Sequence, residues 1–93
     1  MESASIIARL KYICDDEYAE KTSLSTLYTD VIQYKDYMSE KLSPELYKYL
    51  CSELDCVYYE SRLGESMYTE DVFSDLTDAL KDIIEFLEAG MKE

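Results

Sequence analysis

An apolar period of 3.6 residues runs through nearly the whole chain, and it limits the fold more than any other feature. It appears at Ile6, Leu10, Ile13 and Cys14, and again at Leu24, Leu27, Val31, Tyr34 and Met38. It returns at Leu46, Leu50, Leu54 and Val57, and at Phe73, Leu76, Leu80, Ile83 and Leu87. Residues so spaced share one face of a helix, and that face has to be buried against another helix. Two glycines and one proline among 93 residues are too few for a sandwich or barrel, which needs a turn about every ten residues. With 47% hydrophobic residues the chain has enough apolar surface for one modest core, and its length leaves no room for a second module.

The spacing predicts four helices. The first covers about Ser5 to Asp16, and Lys21-Thr22-Ser23 then breaks the pattern and supplies a capping side chain. The second covers about Leu24 to Lys41. Ser43-Pro44-Glu45 restarts the chain with a cap, a proline at the first helical position and an acid in the first turn. Gly64 is the expected end of this third helix. After Glu65-Ser66-Met67-Tyr68, Thr69 caps a fourth helix, with Glu70 and Asp71 behind it, that stops near Gly90. Connections this short favour antiparallel neighbours, so the expected fold is all-α: a compact antiparallel four-helix bundle in a single helical domain over residues 1–93.

Most chemistry is excluded early. The chain has no histidine, which removes the commonest general base and the commonest transition-metal ligand. Cys14, Cys51 and Cys56 form no CxxC pair, and the last two, five apart, fall on different sides of a helix, so no zinc site is expected. They read as free, buried thiols of a reducing compartment, which makes the expected location cytoplasmic. The N-terminal residues lack a basic segment followed by an apolar one, and no apolar run approaches a membrane span. There is no phosphate loop, nucleophile elbow or calcium loop. The expectation is no enzyme, no catalytic residue, no metal and no cofactor.

Ten tyrosines are many for this length. Tyr12, Tyr28, Tyr34, Tyr47 and Tyr58 sit on or beside the apolar stripes, where the ring is buried and the hydroxyl stays wet. At about 100° per residue, Tyr37 and Tyr59 point the other way, towards solvent.

Charge is the strongest functional signal. Acids outnumber bases 21 to 9, a net charge of −12, which argues against direct binding to nucleic acid or an anionic membrane. The excess is uneven: residues 1–52 hold nine acids and six bases, residues 53–93 twelve acids and three bases. In the fourth helix Asp71, Asp75, Asp78, Asp82 and Glu85 recur at spacings of four, three, four and three. They form one stripe about 150° from the apolar one. An ordinary charged surface mixes signs, because Glu–Lys pairs at helical spacing gain a few tenths of a kcal/mol. Here the only base in the segment, Lys81, falls off the stripe. Four successive like-charge neighbours cost about 1–2 kcal/mol together before screening. A small helix that tolerates this has a use for the field.

From Leu42 to Leu87 the chain resembles the colicin D-type immunity proteins and related partners of bacterial tRNA-cleaving toxins from bacteriocin and contact-dependent inhibition systems. The likeness lies in Leu42-Ser43-Pro44-Glu45-Leu46, in Leu54-Asp55-Cys56-Val57-Tyr58-Tyr59, in the acidic helix start Thr69-Glu70-Asp71 and in the Leu/Ile-rich last helix. Before that, only the helical pattern agrees. The resemblance implies a small acidic antiparallel four-helix protein that holds a toxin domain through its basic catalytic cleft. It points to Asp55, Glu60, Glu65, Glu70 and Asp71 as residues meeting the toxin.

The expected function is therefore that of an immunity, antitoxin-type protein, whose partner is a basic nuclease toxin domain. The expected contact residues are Asp55, Tyr59, Glu60, Glu65, Glu70, Asp71, Asp75, Asp78 and Asp82. Two other uses of such a chain remain open: a nucleic-acid mimic that blocks a DNA-binding machine (an anti-CRISPR or anti-restriction protein), and a plain helical adaptor.

Overall fold

The computed structural model describes residues 3–63 and 69–91, and every secondary-structure element among them is helical. Six helices follow one another: α1 (Ser3–Ile13), α2 (Asp16–Lys21), α3 (Leu24–Ile32), α4 (Lys35–Lys41), α5 (Pro44–Arg62) and α6 (Thr69–Met91). The principal extents are 42 × 26 × 19 Å. α5 packs on both α6 and α3, α1 packs on α6, and the short α2 and α4 lie against α1 and α5.

All-helical structure was expected, but two boundaries differ from the sequence reading. The first helix ends at Ile13 rather than Asp16, and Asp15 starts a new helix. Its carboxylate accepts the Glu17 N–H at 2.9 Å, so Asp15-Asp16-Glu17 are the cap and first turn of α2 and not the tail of α1. The expected second helix is two. The Gln33 side-chain amide donates to the Asp30 carbonyl at 2.9 Å, the acceptor a continuous helix would offer to Tyr34 N–H. Tyr34 N–H bonds instead to the Val31 carbonyl at 3.1 Å, a tighter turn, and α4 restarts from the Tyr34 carbonyl.

The caps read from sequence operate at Ser23, which accepts from Thr26 N–H, and at Ser43, which accepts from Leu46 N–H. Pro44 opens α5 as its fixed torsion favours. α5 closes at Leu63; Gly64 and the connection 65–68 lie outside the described residues. α6 already includes Thr69 and continues through Gly90 to Met91.

The core joins the four stripes. Ile6, Leu10, Ile13, Leu27, Val31, Met38, Leu50, Val57, Leu76, Leu80 and Ile83 are fully enclosed. Burying each such side chain contributes about 1.5–3 kcal/mol against its exposed state. Cys14, Tyr34, Leu46 and Phe73 pack against the core but remain partly exposed. Tyr37, expected in solvent, does the same, and its hydroxyl donates to Ser3 Oγ at 2.6 Å, tying α4 to the start of α1. The thiols also differ from expectation. All three cysteines are free, but Cys14 and Cys51 are half-buried and Cys56 is exposed.

Candidate functional site: an acidic face on α5 and α6

α6 alternates its faces as its period dictates. Leu76, Ala79, Leu80, Ile83, Ile84 and Leu87 point inward, and Asp71, Asp75, Asp78, Asp82 and Glu85 are all exposed. The ion pairs among the described residues are Arg9–Asp30 (3.4 Å), Lys11–Glu88 (3.3 Å) and Lys21–Glu17 (3.0 Å). None draws on the stripe, so among the described residues its five exposed carboxylates form no ion pair.

α5 extends this face. Glu53 and Tyr49, one turn apart, lie on the flank of α5 turned to α6. Partial burial, reinforced by Asp75, pushes the Glu53 carboxyl above its ordinary value. The Tyr49 phenol is also pushed up, first by desolvation and then by Glu53, Asp82, Asp78 and Asp75. One tyrosine thus sits in the field of four carboxylates from two helices. Neither residue stood out in the sequence, because their place beside Asp75 and Asp82 depends on how α5 is rotated against α6.

The other expected contact residues scatter. Tyr59 is 69% exposed and Asp55 is exposed, as their place off the apolar stripe requires. They are not part of the same patch, since Asp55 and Glu53 are about 160° apart around α5. Glu60 was expected at an outward junction but is only 8% exposed. It follows Val57 by three residues and so falls beside the buried stripe. Glu65 lies outside the described residues. Glu70 is exposed and, with Asp78, borders a second hollow between α6 and the α1–α2 corner.

That hollow, about 580 Å³, also carries Asp15, Asp16, Glu20, Cys14 and Lys81. The Cys14 thiol donates to the Thr77 carbonyl at 3.7 Å. Burial pushes its pKa up, against the opposing pull of Lys81, so the thiol is held away from the reactive thiolate. A groove of about 590 Å³ lies at the far end of the α5–α6 seam, lined by Glu45, Leu46, Tyr49, Asp82, Glu85 and Phe86, with Ser43 at its end.

Among the described residues no group of three His, Cys, Asp or Glu side chains is arranged to hold a metal ion. Nor is any described helix long and apolar enough to cross a membrane. What the α5–α6 face offers chemically is a dense anionic field with aromatic surface inside it. No protein-family model matches this chain, and neither a curated protein nor a solved structure matches it.

Proposed function

We propose that this chain is a non-enzymatic binding protein of the cytoplasm that neutralises a basic protein partner, a nuclease toxin domain, by laying its acidic α5–α6 face over the partner's catalytic cleft. The observation that carries the reading is the run Asp71, Asp75, Asp78, Asp82 and Glu85, exposed and without an ion pair among the described residues. Such a field is unfavourable in the isolated protein and becomes favourable only against a cationic surface. The frame behind it is the antiparallel arrangement of the four longer helices, with α2 and α4 as short additions. The partial resemblance to immunity proteins supports the same partner class.

Charge of this kind steers encounter. Stopped-flow association with a basic nuclease domain, taken from the neighbouring gene where that gene encodes one, tests it: the rate should fall steeply from about 0.05 to about 0.5 M salt. A rate indifferent to salt overturns the acidic face as the docking surface.

A second reading, a nucleic-acid mimic, draws on the regularity of the stripe: five carboxylates over about 21 Å of helix, a spacing comparable with a phosphate backbone. A mimic competes with DNA on several unrelated basic proteins. A cognate inhibitor selects one partner by shape and anchor residues as well as charge.

A further inference from the structure

The groove at the far end of the acidic face combines two features, exposed aromatic rings and a carboxylate rim. Its floor holds two large exposed aromatic rings, Tyr49 at 39% and Phe86 at 43% exposure, beside Leu46. Its rim holds Glu45, Asp82 and Glu85, and no basic residue lines it. Tyr59 is more exposed than either ring, but it stands on another flank of α5, off this groove.

An anion is a poor occupant. The start of α5 lies here, but Pro44 has no N–H, Ser43 takes the N–H groups of Leu46 and Tyr47, and the Glu45 carboxylate sits in the first turn, which disfavours a second negative charge. A second copy of the chain brings the same excess of acid, −12 per molecule. A cation whose body is flat and weakly hydrated satisfies both features, because it stacks on aromatic faces while forking onto carboxylates. That description fits a guanidinium better than an ammonium.

We propose that this groove is the anchoring subsite of the acidic face, taking an arginine side chain presented by the basic partner, stacked on Tyr49 and Phe86 and paired with Glu45, Asp82 or Glu85. The inference rests on the binding role proposed above and names the contact that gives it selectivity beyond charge. Desolvation first, and then the carboxylates of Glu53, Asp82, Asp78 and Asp75, push the Tyr49 phenol up, and that carboxylate field is one a guanidinium would neutralise.

The test is an NMR titration of the isotope-labelled chain with the peptide Ac-Gly-Arg-Gly-Arg-Gly-amide, run beside its lysine and citrulline counterparts. The expected result is shifts concentrated at Leu46, Tyr49 and Phe86, tighter binding of the arginine peptide than of the lysine one, and no binding of citrulline. Phe86→Ala should weaken the arginine peptide about tenfold while moving the lysine peptide little. Tyr49→Leu, which keeps the packing bulk, repeats the measurement should the alanine variant fold poorly. The subsite is overturned if both basic peptides bind equally along the stripe and ignore Phe86→Ala; the acidic face then stands as a plain charged surface. It is also overturned if shifts centre on Asp55 and Tyr59, if no shift appears at all, or if the groove signals move with protein concentration alone, which makes the occupant a second copy. The binding role itself is judged separately by the salt dependence of partner association.

Discussion

The phenolic hydroxyl of Tyr18 donates to Oδ2 of Asp30 at 2.5 Å, and Arg9 reaches the same carboxylate oxygen at 3.4 Å. One acid on α3 therefore gathers α1 and α2, and Tyr18, set edge-on to Tyr12 with ring centroids 5.5 Å apart, completes the corner. Burial first, then the hydrogen bond to Asp30, pushes the Tyr18 phenol up to about 12 from its ordinary 10.0. Tyr18→Phe should cost about 1.5–3 kcal/mol, the usual loss for a bond to a charged acceptor. A phenol whose pKa is raised by folding contributes its full stabilisation below the unfolded value and loses it as pH climbs through the folded one. The gap between wild type and variant should be constant up to about pH 10 and close towards pH 12, read by denaturant unfolding across that range.

Glu53 gives an acid-side counterpart. Its carboxyl is raised by desolvation and then by Asp75. The folded state therefore binds its proton more readily than the unfolded chain, and the chain should gain stability as pH falls from 7 through the folded value. Glu53→Gln removes the charge at constant shape, so it should raise Tm at pH 7 and flatten that rise. A thermal melt series from neutral pH into the carboxylate range checks both. A Tm gap between wild type and Glu53→Gln that does not narrow on mild acidification contradicts the raised Glu53 carboxyl, set by desolvation first and Asp75 second.

How far the sequence reaches is visible in where it stops. The apolar stripes were legible because each is a property of one helix, and Leu10, Leu27, Leu50, Val57, Leu80 and Ile83 are all fully enclosed. α2 escaped notice because six residues hold less than two turns, and its Asp15 cap resembles the acidic end of a preceding helix. The α3–α4 break turns on one side-chain amide, that of Gln33, competing for a backbone carbonyl. The acidic stripe of α6 was readable for the same reason as the core. Tyr49, Glu53 and the Phe86 groove were not, since they arise from the rotation of one helix against another, which neither period contains. Glu60 and Tyr37 were misplaced although a signal existed: Glu60 lies three residues from the buried Val57, and Tyr37 three residues from Tyr34, which packs against the core.

Reversing two charges in the stripe separates its cost to the fold from its use. In the double variant Asp75→Lys and Asp78→Lys, the new bases stand four residues from Asp71 and Asp82, so like-charge neighbours become attractive pairs. The fold should be unchanged or more stable by about 0.5–1 kcal/mol, while affinity for a basic partner drops. Leu80→Ala, in the enclosed core, should instead cost about 2–5 kcal/mol. Calorimetry and partner titration on both variants read the two effects apart. A lysine variant that melts lower and binds unchanged shows that the stripe is not an interface.

The three thiols differ in environment enough to be ranked by reactivity. Cys56 is exposed on α5, whereas Cys14 is half-buried between α1 and α6, bonded to the Thr77 carbonyl, and raised in pKa by that burial. Alkylation proceeds through the thiolate, so access favours Cys56, while both access and ionisation oppose Cys14. Iodoacetamide at pH 8 followed by peptide mapping should label Cys56 first and Cys14 last, and the Cys14 rate should climb with pH over a higher range than an ordinary thiol. In denaturant the three rates should converge, because the difference belongs to the folded packing. Equal labelling of Cys14 and Cys56 in the native protein means that the α1–α6 contact opens on the timescale of the reaction, and the enclosure of Ile13 beside Cys14 would fail with it.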